Sequence, residues 1–345
     1  MNIMPPNASP GLWTLAWRRL KRDRVGMISL AVVVAYLCMV FLAFGGWIAK
    51  DWTREVGVNY APPVFLPDDQ DPTAVALVKP VAQPDQVDLY GLQDPLARQL
   101  AQIRAHDPVG AQQPIVARRL TLPLGGDKWG HDVLTKVIKG SETSILVGLV
   151  AAILATALGT LMGALAGYFG RWVDDSFNWL YGVFTAIPYL LLIFAIAAVL
   201  QQKGVSTIIL ILGLTGWTGV FRLVRAEYLK HKSREYVLAA GAMGASHARR
   251  MFIHILPNTS HVILVQLSQN VVGFIKSEVI LSFLGFGVPV DVVSWGSMLN
   301  EAQNELILGK WWQLAAAGTA MAILVTAFSL LTDALRDALD PKLKY

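Results

Sequence analysis

Six stretches of mostly apolar residues punctuate this chain, separated by polar segments of very unequal length. They lie near 27–49, 144–169, 177–200, 205–221, 262–284 and 311–332. Roughly 20 apolar residues suffice for a helix to cross a bilayer. Within a bilayer, a helix is one of the few structures that satisfies every backbone polar group. The pattern therefore predicts an all-α, polytopic membrane protein with six transmembrane helices. Polar residues interrupt the fourth and fifth stretches.

The first stretch follows Arg18, Arg19, Lys21, Arg22 and Arg24. Its apolar core is longer than the roughly 7–15 residues of a cleaved signal peptide, so it reads as a retained span. Basic residues favour the cytoplasmic side. That rule puts residues 1–26 in the cytoplasm, the span at 27–49, and residues 50–140 outside as a periplasmic insert. A core of five spans occupies 141–332, with a basic cytoplasmic loop at 222–258, and a cytoplasmic tail fills 333–345. Lys128, Lys136 and Lys139 run against the rule on the outer side, and a short interfacial helix would accommodate them.

Composition agrees with a membrane protein. Hydrophobic residues make up 54 % of the chain and charged residues 15 %, against about 45–50 % and 25 % in ordinary soluble proteins. The net charge of +5 comes from basic residues beside apolar runs, which fits a lipid surface rather than nucleic acid. The single cysteine, Cys38, excludes an intrachain disulfide and a cysteine-built metal cluster.

The insert is rich in Pro and Asp, including Pro62, Pro63, Pro67, Asp68, Asp69 and Asp71. Proline removes donors and fixes φ, which disfavours long helices there. A single helix is expected over 86–103. Two readings of the insert stay open: a loosely structured elaboration, or a surface for an extracytoplasmic partner.

Inside the spans, Gly159, Gly163 and Gly167 fall on one helix face and permit close backbone approach. Pro188 should kink the third span, as a hinge or as a static bend. Lys276 and Glu278 interrupt the fifth. Charges at that depth face protein or water, so they line or gate a polar pathway, or else pair or snorkel near the span's end. Asp333, Arg336 and Asp337 form a charged helix end before Pro341.

The loop at 222–258 reads as helix, tight turn, helix. Ser233 is placed to cap a helix starting at Arg234. Gly244 supplies a left-handed end, and Ser246 caps a second helix that should stop before Pro257. Ala239, Ala240, Gly241 and Ala242 leave the first helix with a bare face suited to a groove on another protein.

Leu238-Ala239-Ala240, Gly244 and His254-Ile255-Leu256-Pro257 resemble the cytoplasmic coupling loop of ATP-binding-cassette importer permeases, in which Glu-Ala-Ala is followed by a Gly and Ile-x-Leu-Pro. Further matches follow in order: Leu124-Gly125-Gly126-Asp127-Lys128-Trp129-Gly130-His131-Asp132-Val133-Leu134, Gly167-Tyr168-Phe169-Gly170-Arg171, Leu281-Ser282-Phe283-Leu284-Gly285, Ser294-Trp295-Gly296 and Leu335-Arg336-Asp337-Ala338-Leu339-Asp340-Pro341. These are similar to the dipeptide/oligopeptide branch. The long insert is similar to that of the subgroup that includes the microcin C importer. The chain departs from the pattern at Leu238, Gly241, His254, His131 and Lys276.

The resemblance implies a bacterial inner-membrane permease subunit that couples to a separate ATPase through Arg234, Glu235, Tyr236, Ala239, Ala240, Gly244, Ser246 and Pro257. It implies a second permease, ATP-binding subunits holding ATP and Mg, and an extracytoplasmic substrate-binding protein. No Gly-x-x-x-x-Gly-Lys-Ser/Thr run exists in this chain to cradle phosphates. No cofactor, metal site or catalytic residue is expected in it. Pro188, Lys276 and Glu278 are the candidate pathway or gating residues. An ion-coupled secondary transporter is the alternative, with Glu278 as its carboxylate, and a membrane-anchored enzyme around His106 is a third class.

Overall fold

The computed structural model describes residues 12–66, 75–78 and 116–339. The helix expected over 86–103 and the region around His106 lie outside the described residues. Two compact units divide the chain, one formed by residues 1–50 with 135–345 and the other by 51–134.

In the larger unit, α1 (Leu12–Arg22) and α2 (Arg24–Phe44) are separated only by Asp23. The Asp23 carboxylate accepts from the Val25 N–H and caps α2, satisfying one of the first-turn donors that a helix leaves free. The 37 residues of α3 (Val133–Phe169) extend about 55 Å at 1.5 Å per residue. Next come α4 (Arg171–Ala186), α5 (Tyr189–Leu200), α6 (Val205–Thr215) and α7 (Thr218–His231). The coupling segment holds α8 (Glu235–Ala242), the short α9 (His247–Arg249) and a π-helical turn over Arg250–Ile255. The chain ends through α10 (Leu256–Phe283), α11 (Trp295–Ile307) and α12 (Trp312–Leu339).

Among the described residues, four helical stretches are long and apolar enough to cross a membrane: Arg24–Phe44, Val133–Phe169, Val205–His231 and Trp312–Leu339. A fifth arises if α4 and α5, bent by 86° to one another, count as one broken span. The count on length and composition is therefore four or five, where the sequence pattern suggested six. The difference lies in α10. It is long enough, but Gln266, Ser268, Gln269, Asn270, Lys276 and Glu278 dilute its apolar character.

Packing follows the small-residue pattern. A Cβ on Gly159 would sit 2.6 Å from the Trp217 carbonyl oxygen, one on Gly163 2.8 Å from that of Phe221, and one on Gly167 2.6 Å from that of Arg225. The glycine face of α3 is thus pressed against the backbone of α7. On the other side, α12 runs along α2. Ala16 and Leu20 of α1 pack on Ala334, Ala338 and Leu339 of α12, and the Tyr36 hydroxyl donates to the Ala320 carbonyl at 3.0 Å. Helix α12 continues unbroken through residues 333–339, so the charged end is part of the bundle.

The interfacial helix expected around Lys128, Lys136 and Lys139 does not form as a separate element. Lys136 and Lys139 lie in the opening turns of α3. Lys136 is buried and pairs with Glu301 at 2.7 Å, and Lys139 pairs with Glu142 at 2.7 Å. Local carboxylates neutralise both charges, so a position at the lipid surface is not needed to accommodate them.

In the smaller unit, β1 (Val75–Val78) pairs antiparallel with β2 (Val116–Arg119), Val75 opposite Arg119. Arg119 also exchanges backbone hydrogen bonds with Val56 and Val58. The fully buried Asp127 organises the turn that follows. It accepts from the Trp129 and His131 backbone N–H groups, both at 2.9 Å, and its other oxygen meets His131 Nδ1 at 2.8 Å. Gly130 stands at φ +82°. This Gly-Gly-Asp…Gly-His run is a self-satisfied structural turn. Arg118 and Glu55 form an ion pair nearby.

Candidate functional site

Helix α8 is eight residues long, too short to persist alone in water. Its ends and one face are fixed by the rest of the chain. Arg234, extended at φ −75° and ψ 144°, is its N-cap residue, and no side chain caps the helix. Ser233 does not perform that role. Its hydroxyl donates back to the Lys230 carbonyl at 3.2 Å and finishes α7 instead. Glu235 sits in the first turn, where a negative charge suits the helix dipole.

The C-terminal end is a Schellman closure. Gly244 adopts φ +86°. Its N–H reaches the Gly241 carbonyl at 3.0 Å, and the Ala245 N–H reaches the Ala240 carbonyl at 2.9 Å. A non-glycine residue is disfavoured at such a φ. The chain then turns sharply, and the Ser246 hydroxyl accepts from the Arg249 N–H at 3.3 Å.

The helix that Ser246 starts does not stop before Pro257. It passes through the π-helical turn and continues as α10, with Pro257 in the first turn. The wider turn explains this, because the Leu256 N–H bonds back five residues to the Met251 carbonyl. Proline near a helix start gives up an N–H that needs no helical partner.

One face of α8 is anchored. Val237, Met251 and Ile255 are buried with Val220, Val224 and Tyr228 of α7 and Ala164 of α3. The Tyr228 hydroxyl donates to the Met251 carbonyl at 3.1 Å. His247 Nδ1 lies 2.9 Å from both the Tyr168 hydroxyl and Arg250 Nη2. A guanidinium can only donate, so Nδ1 is an acceptor. The Arg250 guanidinium stands over the Tyr168 ring at 5.7 Å. Tyr236 is steadied by its hydroxyl, 2.8 Å from His231 Nδ1, and partial burial raises its pKa.

The opposite face is open. Glu235, Leu238, Ala239, Ala242 and Met243 are exposed, Met243 at 82 %. These positions recur at three- and four-residue spacing on one side of the helix. Ala240 does not belong with them, because it is buried at 3 % against the chain's own core. Gly241 faces inward as well, and a Cβ there would meet Arg250 Nη1 at 2.9 Å. The bare outer surface is thus Ala239 and Ala242, framed by Leu238 and Met243.

Sequence reading missed Tyr168, Tyr228, His247, Arg250 and Met251. The spacing of Val220, Val224 and Tyr228 marks one buried helical face, but nothing in the order of residues ties Tyr168 to His247, 79 positions on.

The three intramembrane candidates occupy different settings. Pro188 begins α5 at the 86° break, and its neighbour Tyr189 reaches Ser277 and Thr215. Glu278 is fully buried and is not paired with Lys276. It accepts from the Ser282 hydroxyl at 2.7 Å. Ser144 Oγ accepts from the Trp295 N–H and Ser294 Oγ from the Ser297 N–H. The Trp295 N–H to Ser144 bond ties the start of α11 to α3 beside Glu278, whose own hydrogen-bonded partner, Ser282, is one turn on along α10. Lys276 is exposed.

Comparison with known proteins adds the family. Residues 159–345 match the family described as binding-protein-dependent transport system inner membrane component. Residues 11–80 match the N-terminal transmembrane domain of oligopeptide transport permease C. The chain is 37 % identical over 246 residues to the dipeptide transport system permease protein DppC of Bacillus subtilis, covering 69 % of this chain and 77 % of that one. It is 37 % identical over 220 residues to the oligopeptide transport system permease protein OppC of the same organism, covering 64 % and 72 %. The di/tripeptide transport system permease protein DppC of Pseudomonas aeruginosa is 36 % identical over 221 residues, with coverage of 64 % and 72 %. A solved structure of the MetNI methionine ABC transporter in an inward-facing conformation superposes with a TM-score of 0.48 at 14 % identity, covering 59 % of this chain and 96 % of that one.

The chain is accordingly a multi-pass permease subunit of an ATP-binding-cassette importer, a class that works with ATPase and substrate-binding subunits and is not itself an enzyme. Within that class it belongs to the binding-protein-dependent transport family, in the dipeptide/oligopeptide branch.

Proposed function

We propose that this permease forms half of a translocation pathway for di- or oligopeptides, and that the open face of α8 docks in a cleft on the ATPase. The observation that carries this reading is the two-sidedness of α8. One face is fastened to α3, α7 and the π-helical turn, and the other presents Leu238, Ala239, Ala242 and Met243 to solvent. Small side chains let a partner approach closely, and the anchored face turns any push on α8 into rigid-body motion of two long helices.

In this reading α10 is the sixth span, its polar side turned to water, and both termini are cytoplasmic. A second, homologous permease completes the pathway. ATP and Mg belong to the ATPase subunits, and an extracytoplasmic binding protein delivers the peptide. Pro188 supplies the bend of a gating span.

The test is purification of the chain from its native membrane in mild detergent, followed by identification of the co-purifying subunits and an ATPase assay. An ATP-binding subunit in fixed stoichiometry with a second permease is expected, along with loss of that ATPase when α8 carries Ala239→Arg. A chain that purifies alone, with ion-gradient-driven uptake in proteoliposomes, would instead support the ion-coupled alternative.

A further inference from the structure

Lys276 lies on α10 about 30 Å beyond Leu256 by helical rise. It is exposed, and no ion pair or hydrogen bond holds it among the described residues. An unpaired ammonium on a membrane helix is costly against lipid and favours water or a counter-charge. Its surroundings on the helix are open too. Gln269 is exposed, and a Cβ built on Gly273 meets nothing within 4 Å. Gln269, Gly273 and Lys276 follow at four and three residues and so share one face. Gln266 extends that stripe one turn back, with its amide donating to Gln269 Oε1 at 2.7 Å.

The stripe leads into an open cavity of about 570 Å³ between α7, α10 and α12, with Gln266 and Gln269 in its wall. Lys230, His261, Arg336 and Glu227 also line it. Glu227 is already engaged by Lys230 at 3.0 Å and by His231 at 3.4 Å. Arg336 is exposed and carries no ion pair among the described residues. Among the residues lining the cavity, Lys230 and Arg336 thus face one carboxylate, that of Glu227.

Resting on the permease reading above, we propose that the polar stripe of α10 is a water-filled, electropositive lane, and that Lys276 in it receives the anionic group of the cargo, a carboxylate. A single basic group spaced from a basic vestibule would draw an anion inward without holding it. The amides of Gln266 and Gln269 and the bare Gly273 leave room for the chain that carries it.

The test uses the assembled importer in proteoliposomes, with Cys38→Ser and a reporter thiol at Gly273→Cys. The reporter is labelled with methanethiosulfonates of similar size, one sulfonatoethyl (anionic) and one trimethylammonioethyl (cationic). Reaction from water is expected, with the anionic-to-cationic rate ratio falling roughly 3- to 10-fold on Lys276→Gln, the effect of one unit charge a helical turn away in a wet site. A thiol inert to both reagents places the stripe against lipid or the second permease, and a ratio unmoved by Lys276→Gln removes Lys276 as the source of the field. Either result overturns the proposal. Gln269→Cys serves as a second reporter if the first does not assemble. Co-purification of the ATPase in the same preparation is scored separately, so failure of the permease reading is visible on its own.

Discussion

The Tyr228 hydroxyl donates to the Met251 carbonyl at 3.1 Å, fastening α7 to the π-helical turn that leads out of the docking segment. The same carbonyl accepts the Leu256 N–H, so removing the hydroxyl leaves it one partner. Tyr228→Phe should therefore cost about 0.5–1.5 kcal/mol. Thermal unfolding in detergent should show the loss, and uptake per ATP hydrolysed should fall because α8 is held less firmly. An unchanged coupling ratio with a lowered melting temperature would limit Tyr228 to a structural role.

Gly244 tests the turn itself. Nothing lies within 4 Å of a Cβ added there, so only the backbone at φ +86° resists substitution. Gly244→Val should destabilise the turn by roughly 1–2 kcal/mol, whereas Gly244→Asn should be close to neutral. Gly244→Glu adds a charge at the docking face and should uncouple ATP hydrolysis from uptake with the protein still in the membrane. Uptake, ATPase rate and an immunoblot of membranes separate these outcomes, and normal transport by the Glu variant would remove α8 as the docking element.

The glycine face of α3 makes a steric prediction. Gly163→Leu drives a side chain into the Phe221 carbonyl, 2.8 Å from the ideal Cβ, and should cost about 1–3 kcal/mol as overpacking does. Gly182→Ala on α4 meets nothing within 4 Å and should be neutral or slightly stabilising. Melting temperatures of the two variants should move apart. Equal values would mean that α3 and α7 do not pack this closely in the assembled permease.

Glu278→Ala should behave as a loss of structure. The substitution strips the acceptor from the Ser282 hydroxyl inside a buried site, and a cost of about 1–3 kcal/mol is expected. Glu278→Gln keeps one acceptor oxygen and should recover most of it. Unaltered stability combined with altered cargo preference would return Glu278 to the pathway.

Much of the candidate site was legible in the residue order because its determinants are local. A Gly just past a run of helix formers predicts the left-handed closure at Gly244, and a Ser two residues later predicts the cap at Ser246. The stop before Pro257 was misread, because nothing local announces a π-helical turn that lets α10 begin ahead of a proline. Ser233 was misassigned for a related reason. Its hydroxyl bonds the Lys230 carbonyl at the end of α7, and Arg234 takes the N-cap position. Of the four small residues of α8, Ala240 and Gly241 turn inward. Spacing separates the two faces of that helix, but only the positions of Val224, Tyr228 and Met251 decide which face is buried.

The sequence by itself determined the class of protein. Apolar runs of spanning length, the glycine spacing of α3 and the turn chemistry at Gly244 act through nearest neighbours or along one helix, and so can be read in order. The tertiary structure decided which charges are neutralised and which stay free. Glu278 and Lys276 are two residues apart on one helix, yet one is sealed in the interior and the other is left open. Successive positions on a helix point about 100° apart, so burial at each depends on which distant helix arrives there, and that is settled only when the bundle closes.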